Sequence, residues 1–461
     1  MSWSIVKSGD LFSFVTSGSR GWAKFYSDAG PVFLRMGNLD HDSISLDLQD
    51  IQRVRPPGDT EGTRTRVQPM DILISITADV GMIGIIPDNF EEAYINQHVS
   101  LARPRPTVHP QYLAWYLSSP TAQRQFRELQ RGATKVGLGL DDIRAVDVPL
   151  PLIQEQRRIV AEIEKQFTRL DVGVAALLRV QANLKRYRAA VLKAAFEGRL
   201  VPSQAELTRN GNRDESNESG EALLARIHID RRQNWQGRGK YKEPDSPDSS
   251  NRCPIPNGWL WTNLDTATLS GPQNGVYLPH ELYGHGHPIL RIDDYQDGWV
   301  RGVEELKKVA ADKGTADKYR LLPGDIVINR VNSMTHLGKC LVVRDTHMGA
   351  LFESNMMRLH LSAYVNPRYV EFYLRSQDGR TRLTSGAKWA VNQASINQED
   401  IKQTPLPLPS PAEQTRIVAE VERRLSVVEE MEEQVTINLQ RAVRLRQSIL
   451  QKAFTGELVY S

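Results

Sequence analysis

The sequence predicts a mixed α/β (α+β) architecture: two globular domains joined by an antiparallel two-helix coiled coil, with a pseudo-two-fold internal repeat. Three observations predict it. A long helical sequence occurs twice at a constant offset, a different globular sequence precedes each copy, and the two copies carry unlike charge. At 461 residues the chain exceeds one ordinary core, so several domains are expected.

The repeat is read directly. Glu155-Gln-Arg-Arg-Ile-Val-Ala-Glu-Ile-Glu returns as Glu413-Gln-Thr-Arg-Ile-Val-Ala-Glu-Val-Glu, an offset of 413 − 155 = 258. Ala195-Phe-Glu-Gly-Arg-Leu-Val returns as Ala453-Phe-Thr-Gly-Glu-Leu-Val at the same offset, so the helical stretches have equal length. Weaker echoes lie upstream: Trp3 with Trp261, Pro69-Met-Asp71-Ile with Pro323-Gly-Asp325-Ile, and Trp115-Tyr-Leu with Phe372-Tyr-Leu. The expected order is a first globular domain at 1–152, a helix at 153–201, a linker with a short helix at 202–256, a second globular domain at 257–409 and a second helix at 410–461.

Ser410-Pro-Ala-Glu413 fits a capping box, and Gly198 and Gly456 stand where left-handed C-terminal caps are expected. Between them, Ile163, Phe167, Leu170, Leu177 and Leu184 keep a heptad frame that Val421, Leu425, Val428, Val435 and Leu439 repeat. That pattern fits a coiled-coil seam; packing of each helix on its own domain is the alternative. Residues 155–201 hold ten Lys/Arg against five Asp/Glu, whereas 413–459 hold seven against eight. A parallel pair would stack Arg186 near Arg444 and Arg188 near Arg446, while an antiparallel pair sets Lys185 and Arg186 beside Glu429, with Glu430 in reach. Opposite charges therefore select the antiparallel arrangement. A helix of this length spans about 70 Å, a ruler between the domains.

Composition excludes several classes. Hydrophobic residues make up 40% and charged residues 25%, the balance of a soluble globular protein. No apolar run approaches a membrane span and the amino terminus lacks a signal-peptide pattern, so a cytoplasmic protein with no membrane partner is expected. Cys253 and Cys340 stand far apart without a CxxC partner, which argues against a disulfide framework or a thiolate metal site. The net charge of +3 favours an anionic partner only if basic residues gather on one face.

The duplicated order of variable region, Pro-Leu-Pro-Leu, Glu155-Gln-x-x-Ile-Val, long helix and Ala195-Phe-x-Gly-x-Leu resembles the specificity subunits of type I restriction–modification systems. The linker sequences Glu221-Ala-Leu-Leu-Ala-Arg-Ile and Gly239-Lys-Tyr-Lys-Glu-Pro share the resemblance, which covers essentially the whole chain. It implies a subunit without chemistry of its own. Two target-recognition domains would read the unlike halves of an asymmetric bipartite site in double-stranded DNA. The paired helices would hold those domains apart and dock two methyltransferase subunits, through which motor-nuclease restriction subunits join. No cofactor is expected on this chain; S-adenosylmethionine, ATP and Mg are expected only in the partners. Consistent with this, the sequence has no GxxxxGK[ST] phosphate loop, no Asn/Asp-Pro-Pro-aromatic methyltransferase motif and no HExxH helix. His285-Gly-His287 lacks further ligands nearby and is read as a polar turn, so no metal site is expected.

Three stretches in each domain suit DNA. Thr77-Ala-Asp79-Val-Gly81 follows the first Pro-x-Asp-Ile strand, and Arg330, Asn332, Ser333, Thr335 and His336 follow the second. The family places a DNA-facing loop here, and Arg and Asn can pair with guanine and adenine edges. Gly132-Ala-Thr134-Lys135 and Gly386-Ala-Lys388-Trp389 with Asn392 and Gln393 bring small residues and a cation that suit a phosphate. Arg20, Trp22, Lys24 and Arg35 form the third stretch in one domain, with Asn274, Tyr277, Arg291 and Asp293 in the other. Trp22 and Tyr277 suit core packing equally well. The bland alternative for the whole chain is an adaptor whose coiled coil joins two protein-binding domains.

Overall fold

The computed structural model describes residues 3–18, 20–56, 60–130, 137–209, 218–235, 239–245, 254–296, 298–390 and 393–458. The chain forms two compact units: Met1–Val180 with Gln434–Ser461, and Gln181–Glu433. Each unit therefore takes one globular region, the start of the long helix that follows it, and the end of the other long helix.

In the first unit, strands Phe12–Ser17, Val99–Pro104, Ile72–Ser75 and Ile83–Ile85 form an antiparallel sheet in that order. A second sheet sets Tyr26–Leu34 between Gln52–Val54 and Ala93–Ile95, the last pair parallel. Strand Ile72–Ser75 is buried along its whole length. Ile72 and Ile74 enter the core beneath the helices, whereas Leu73 enters a second core with Val32, Leu34, Ala93 and Ile95. Successive side chains leave a strand on opposite faces, so an uninterrupted apolar run marks a strand covered on both sides.

The second unit repeats the topology. Thr268–Asn274, Met356–Leu361, Ile326–Asn329 and Cys340–Val342 form the four-stranded sheet, and Tyr283–Leu290 lies between Lys308–Val309 and Leu351–Phe352, the last pair again parallel. Ile326 and Ile328 face one core and Val327 the other. His285 and His287 lie in the irregular extended strand Tyr283–Leu290 rather than in the turn the sequence suggested, because a register shift there lets Gly284 and Gly286, which flank His285, take positive φ. Residues of the linker join this unit: helix Gly220–Gln233 puts Leu223 and Ile227 into the core, and Arg231 donates to the carbonyls of Asp265 and Thr268.

The shared Pro-x-Asp-Ile sequence is a structural device. The buried Asp71 carboxylate accepts the Gln68 N–H at 2.7 Å and a bidentate pair from Arg103 at 2.8 and 2.8 Å. Its counterpart Asp325 accepts the Leu322 N–H at 2.8 Å and meets His360 Nδ1 at 2.8 Å. The carboxylate closes the tight turn that launches the buried strand, with Met70 (φ 65°) and Gly324 (φ 86°) in the same left-handed position.

The long helices run Ile153–Phe196 and Pro411–Thr455. Gln156 and Gln414 bind each helix start to its own domain by matching bonds: from the His109 and Asn366 N–H, and to the Pro151 and Pro409 carbonyls. The helix ends dock on the other domain. Phe454 lies edge-on to Tyr112 and Tyr116 in the first unit, at 5.3 and 5.2 Å; Phe196 meets Tyr369 and Tyr373 in the second, also at 5.3 and 5.2 Å. Both helices close on a left-handed glycine, Gly198 and Gly456, with the next N–H reaching back to Ala194 and Lys452. At the start of the second helix the Ser410 hydroxyl accepts the Glu413 N–H at 3.3 Å, half of the expected capping box. The Glu413 carboxylate instead takes Trp259 Nε1 at 2.8 Å and the Gln204 N–H at 3.0 Å, because those buried donors lie closer to hand.

Within each unit the helix segments oppose by the same rule. In the first, Arg446 lies 4.3 Å over the Phe167 ring and is bonded to Asp171, so opposing numbers sum to 446 + 171 = 617. In the second, Arg188 meets Glu432 at 2.8 Å and Glu429 at 3.8 Å, and 188 + 429 is again 617. The expected partners of Glu429, Lys185 and Arg186, lie nearly one turn away, and Arg186 bonds Asn183 instead. The shift keeps the same face inward, since residues three apart share a helix face. Leu184, Val428 and Val435 are buried and Leu170, Leu177 and Leu439 half-buried; Ile163, Phe167, Val421 and Leu425 are buried within the domain cores.

Candidate nucleic-acid interface

The parallel strand pairs position the site. Leu34 pairs beside Ile95, and Leu290 beside Phe352, so the next residues emerge side by side: Arg35 with Asn96, and Arg291 with Glu353. The Asn96 N–H donates to the Leu34 carbonyl at 3.0 Å, and the Glu353 N–H to that of Leu290 at 3.1 Å. The turn that follows, Asn96-Gln97-His98 or Glu353-Ser354-Asn355, is the hub of each site.

The other stretches meet this hub. Gly18 and Gly275, at the end of the first strand of each four-stranded sheet, approach so closely that a Cβ would lie 2.2 Å from Asn96 and 2.1 Å from Glu353. Thr77 Oγ1 lies 2.5 Å from His98 Nδ1, and Gln97 Nε2 lies 2.9 Å from His98 Nε2. In the second unit Arg330 donates its N–H to Asn355 at 2.9 Å and its guanidinium to the Ser354 carbonyl at 3.2 Å.

The Pro-x-Asp-Ile loop and the Gly-Ala stretch also join. Leu138 donates to the Ile76 carbonyl and Ile396 to that of Arg330, each at 2.9 Å, and Thr77 bridges Gly137. The second unit extends this bridge into a small sheet, Val331–Asn332, Gln393–Ser395 and Lys388–Ala390, in which Asn332 and Trp389 flank Ala394. Directly opposed residues share a sheet face, so Asn332 and Trp389 lie on one face and Lys388 on the other. Trp389 is 72% exposed, Lys388 is exposed, and the turn after Asn332 is held by the Ser333 N–H on Asn332 Oδ1 at 2.7 Å. Thr134, Lys135 and Asn392 lie outside the described residues.

The remaining candidates divide by environment. Arg20 and Lys24 are exposed, Lys24 lying 4.9 Å over Phe25. Arg35 pairs with Asp50 at 3.0 Å, and Arg291 with Glu353 at 3.2 Å. Burial works against the Arg291 charge, but Glu353 outweighs it and holds the guanidinium protonated. Trp22 is core, stacked on Phe33 at 5.3 Å, whereas Tyr277 is 80% exposed. Arg330 holds the position of the buried Ile76 in the other domain, which ties it to the hub rather than leaving it free on a loop. Gln97, His98, Ser354 and Asn355 were missed because they carry no repeat signature; the signal was a polar turn between two apolar strands. Among the described residues no group of three His, Cys, Asp or Glu could hold a metal ion, and no helix is long and apolar enough to cross a membrane.

Residues 63–172 match the type I restriction modification DNA specificity domain. The chain is 24% identical to the type I restriction enzyme EcoKI specificity subunit of Escherichia coli over 400 residues, 85% of this chain and 76% of that protein. It is 26% identical, with the same coverage, to the StySPI specificity subunit of Salmonella potsdam. Its fold resembles a chain from a structure of a type I R-M system in assembly and conformational transition (TM-score 0.64, 18% identity, 99% of this chain and 98% of that one). It also resembles the HsdS subunit of Thermoanaerobacter tengcongensis (TM-score 0.52, 17% identity, 99% and 97%). The chain is thus similar, over 85% of its length, to specificity subunits of type I restriction–modification systems.

Proposed function

We propose that this subunit chooses the DNA target without catalysing a step on it, and that each globular domain reads one half of an asymmetric bipartite site. The observation that carries this is the repeated hub: one backbone arrangement in both domains, presenting Thr77, Gln97 and His98 in the first and Arg330, Ser354, Asn355 and Trp389 in the second. Equal frames with unlike side chains suit equal docking on two unlike sequences. Exposed Lys24 and Lys388 suit phosphates, which fix register, while the amides and Trp389 suit base edges. The long helices form one antiparallel coiled coil that sets the spacer and docks two methyltransferase subunits, which in turn recruit motor-nuclease subunits. S-adenosylmethionine, ATP and Mg act in those partners.

The test uses the assembled methyltransferase and duplexes with either half-site scrambled. Replacing Lys388 and Trp389 by Ala should abolish discrimination at one half-site and preserve it at the other. Equal loss at both halves, or none, would remove this face from the account.

A further inference from the structure

Thr77, His98 and Gln97 form a chain of side-chain hydrogen bonds whose donor order can be deduced. A carboxamide nitrogen can only donate, so His98 Nε2, 2.9 Å from Gln97 Nε2, is the acceptor. In a neutral imidazole the proton then sits on Nδ1, which donates to Thr77 Oγ1 at 2.5 Å. The backbone at both ends is pinned: the His98 N–H donates to Asn96 Oδ1 at 3.1 Å, and Thr77 is bridged to Gly137. All three side chains are half-buried. The relay consumes one N–H of the Gln97 amide. Its second N–H and its Oε1 are not part of the relay and keep a fixed fork of one donor and one acceptor.

That fork is the complement of one base edge. Adenine alone offers an acceptor, N7, beside a donor, N6–H, in the major groove; guanine offers two acceptors there. We propose that Gln97 is the adenine-reading residue of the half-site addressed by the first domain, with His98 and Thr77 as positioning residues that hold its amide in one orientation. The inference rests on the proposal that this domain reads a half-site. The second domain has Ser354 and Asn355 at the same turn, with Arg330 on the Ser354 carbonyl in place of an imidazole, so its reader is built differently.

The experiment measures binding of the assembled methyltransferase complex to duplexes carrying every single-base change, and 7-deazaadenine, in the first half-site. Wild-type affinity should fall roughly ten- to a hundredfold when one adenine loses its N7. Gln97→Ala should lose the same factor on the adenine duplex and nothing further on the 7-deaza duplex. His98→Ala and Thr77→Val should relax discrimination at that position alone, with preference at the other half-site intact. Discrimination retained at every position by Gln97→Ala would overturn the assignment, and so would a loss uniform over all sequences, the signature of a phosphate or folding role. Absence of any preference at this half-site in the wild-type complex would instead overturn the half-site reading itself.

Discussion

His360 and Arg103 answer the same structural demand with different chemistry. Each pairs with the buried carboxylate of a Pro-x-Asp-Ile turn, Asp325 or Asp71, and Arg358 also lies 3.9 Å from Asp325. The hydrogen bond to Asp325 raises the His360 pKa above the ordinary imidazole value, outweighing burial. A raised folded-state pKa means stability that is full below the unfolded value of about 6.5 and is lost as pH rises through the higher native value. The second unit should therefore weaken as the solution turns mildly alkaline more than the first, whose Asp71 is paired with Arg103 rather than with a histidine. Hydrogen exchange of strands Ile326–Asn329 and Ile72–Ser75 across that range checks this. Equal behaviour of both strands, or loss on acidification instead, would refute it. At this scale the sequence displayed Asp71 and Asp325 through the repeat but not their partners, because Arg103 and His360 differ between copies. Gln97 and His98 escaped for the same reason, since what singles them out is proximity to Thr77 in space.

At the scale of elements, exchanged docking of the helix ends explains why Ala195-Phe-x-Gly and Ala453-Phe-x-Gly recur. Phe454 serves the tyrosine pair of the first domain and Phe196 that of the second, each within a buried core. Truncating a buried phenylalanine costs about 3–5 kcal/mol when the cavity cannot close. Phe196→Ala should thus destabilise the second globular region and Phe454→Ala the first, even though each residue lies far along the chain from the region it supports. Limited proteolysis with identification of the cleaved domain distinguishes this from the reverse pattern, which would contradict the exchange. The helix starts and the glycine caps were legible, since they depend on local sequence, whereas the helices end at Phe196 and Thr455, short of the bounds at 201 and 461. The charge-based register missed by nearly one turn because Arg188 and Arg446 are the ion-pairing residues, rather than Lys185 and Arg186. Placed in an apolar seam, such pairs give direction and register more than stability.

For the whole molecule, one frame written twice with unlike hubs is the property that matters. The duplication was readable as the 258-residue offset, and it returned as two sheets of the same strand order in each unit. The base sequence was not readable, because on the proposed reading it depends on side chains of the hub turn whose roles come from contacts far apart in the chain. The central claim is that two unlike readers on one chain specify one asymmetric, interrupted target. Sequencing the methylated positions in the genome of cells that express this subunit with its methyltransferase partner tests it most directly. The account predicts a single motif of two different half-sites separated by a spacer of fixed length and free sequence. A continuous motif, two identical half-sites, or methylation that does not depend on this chain would contradict it.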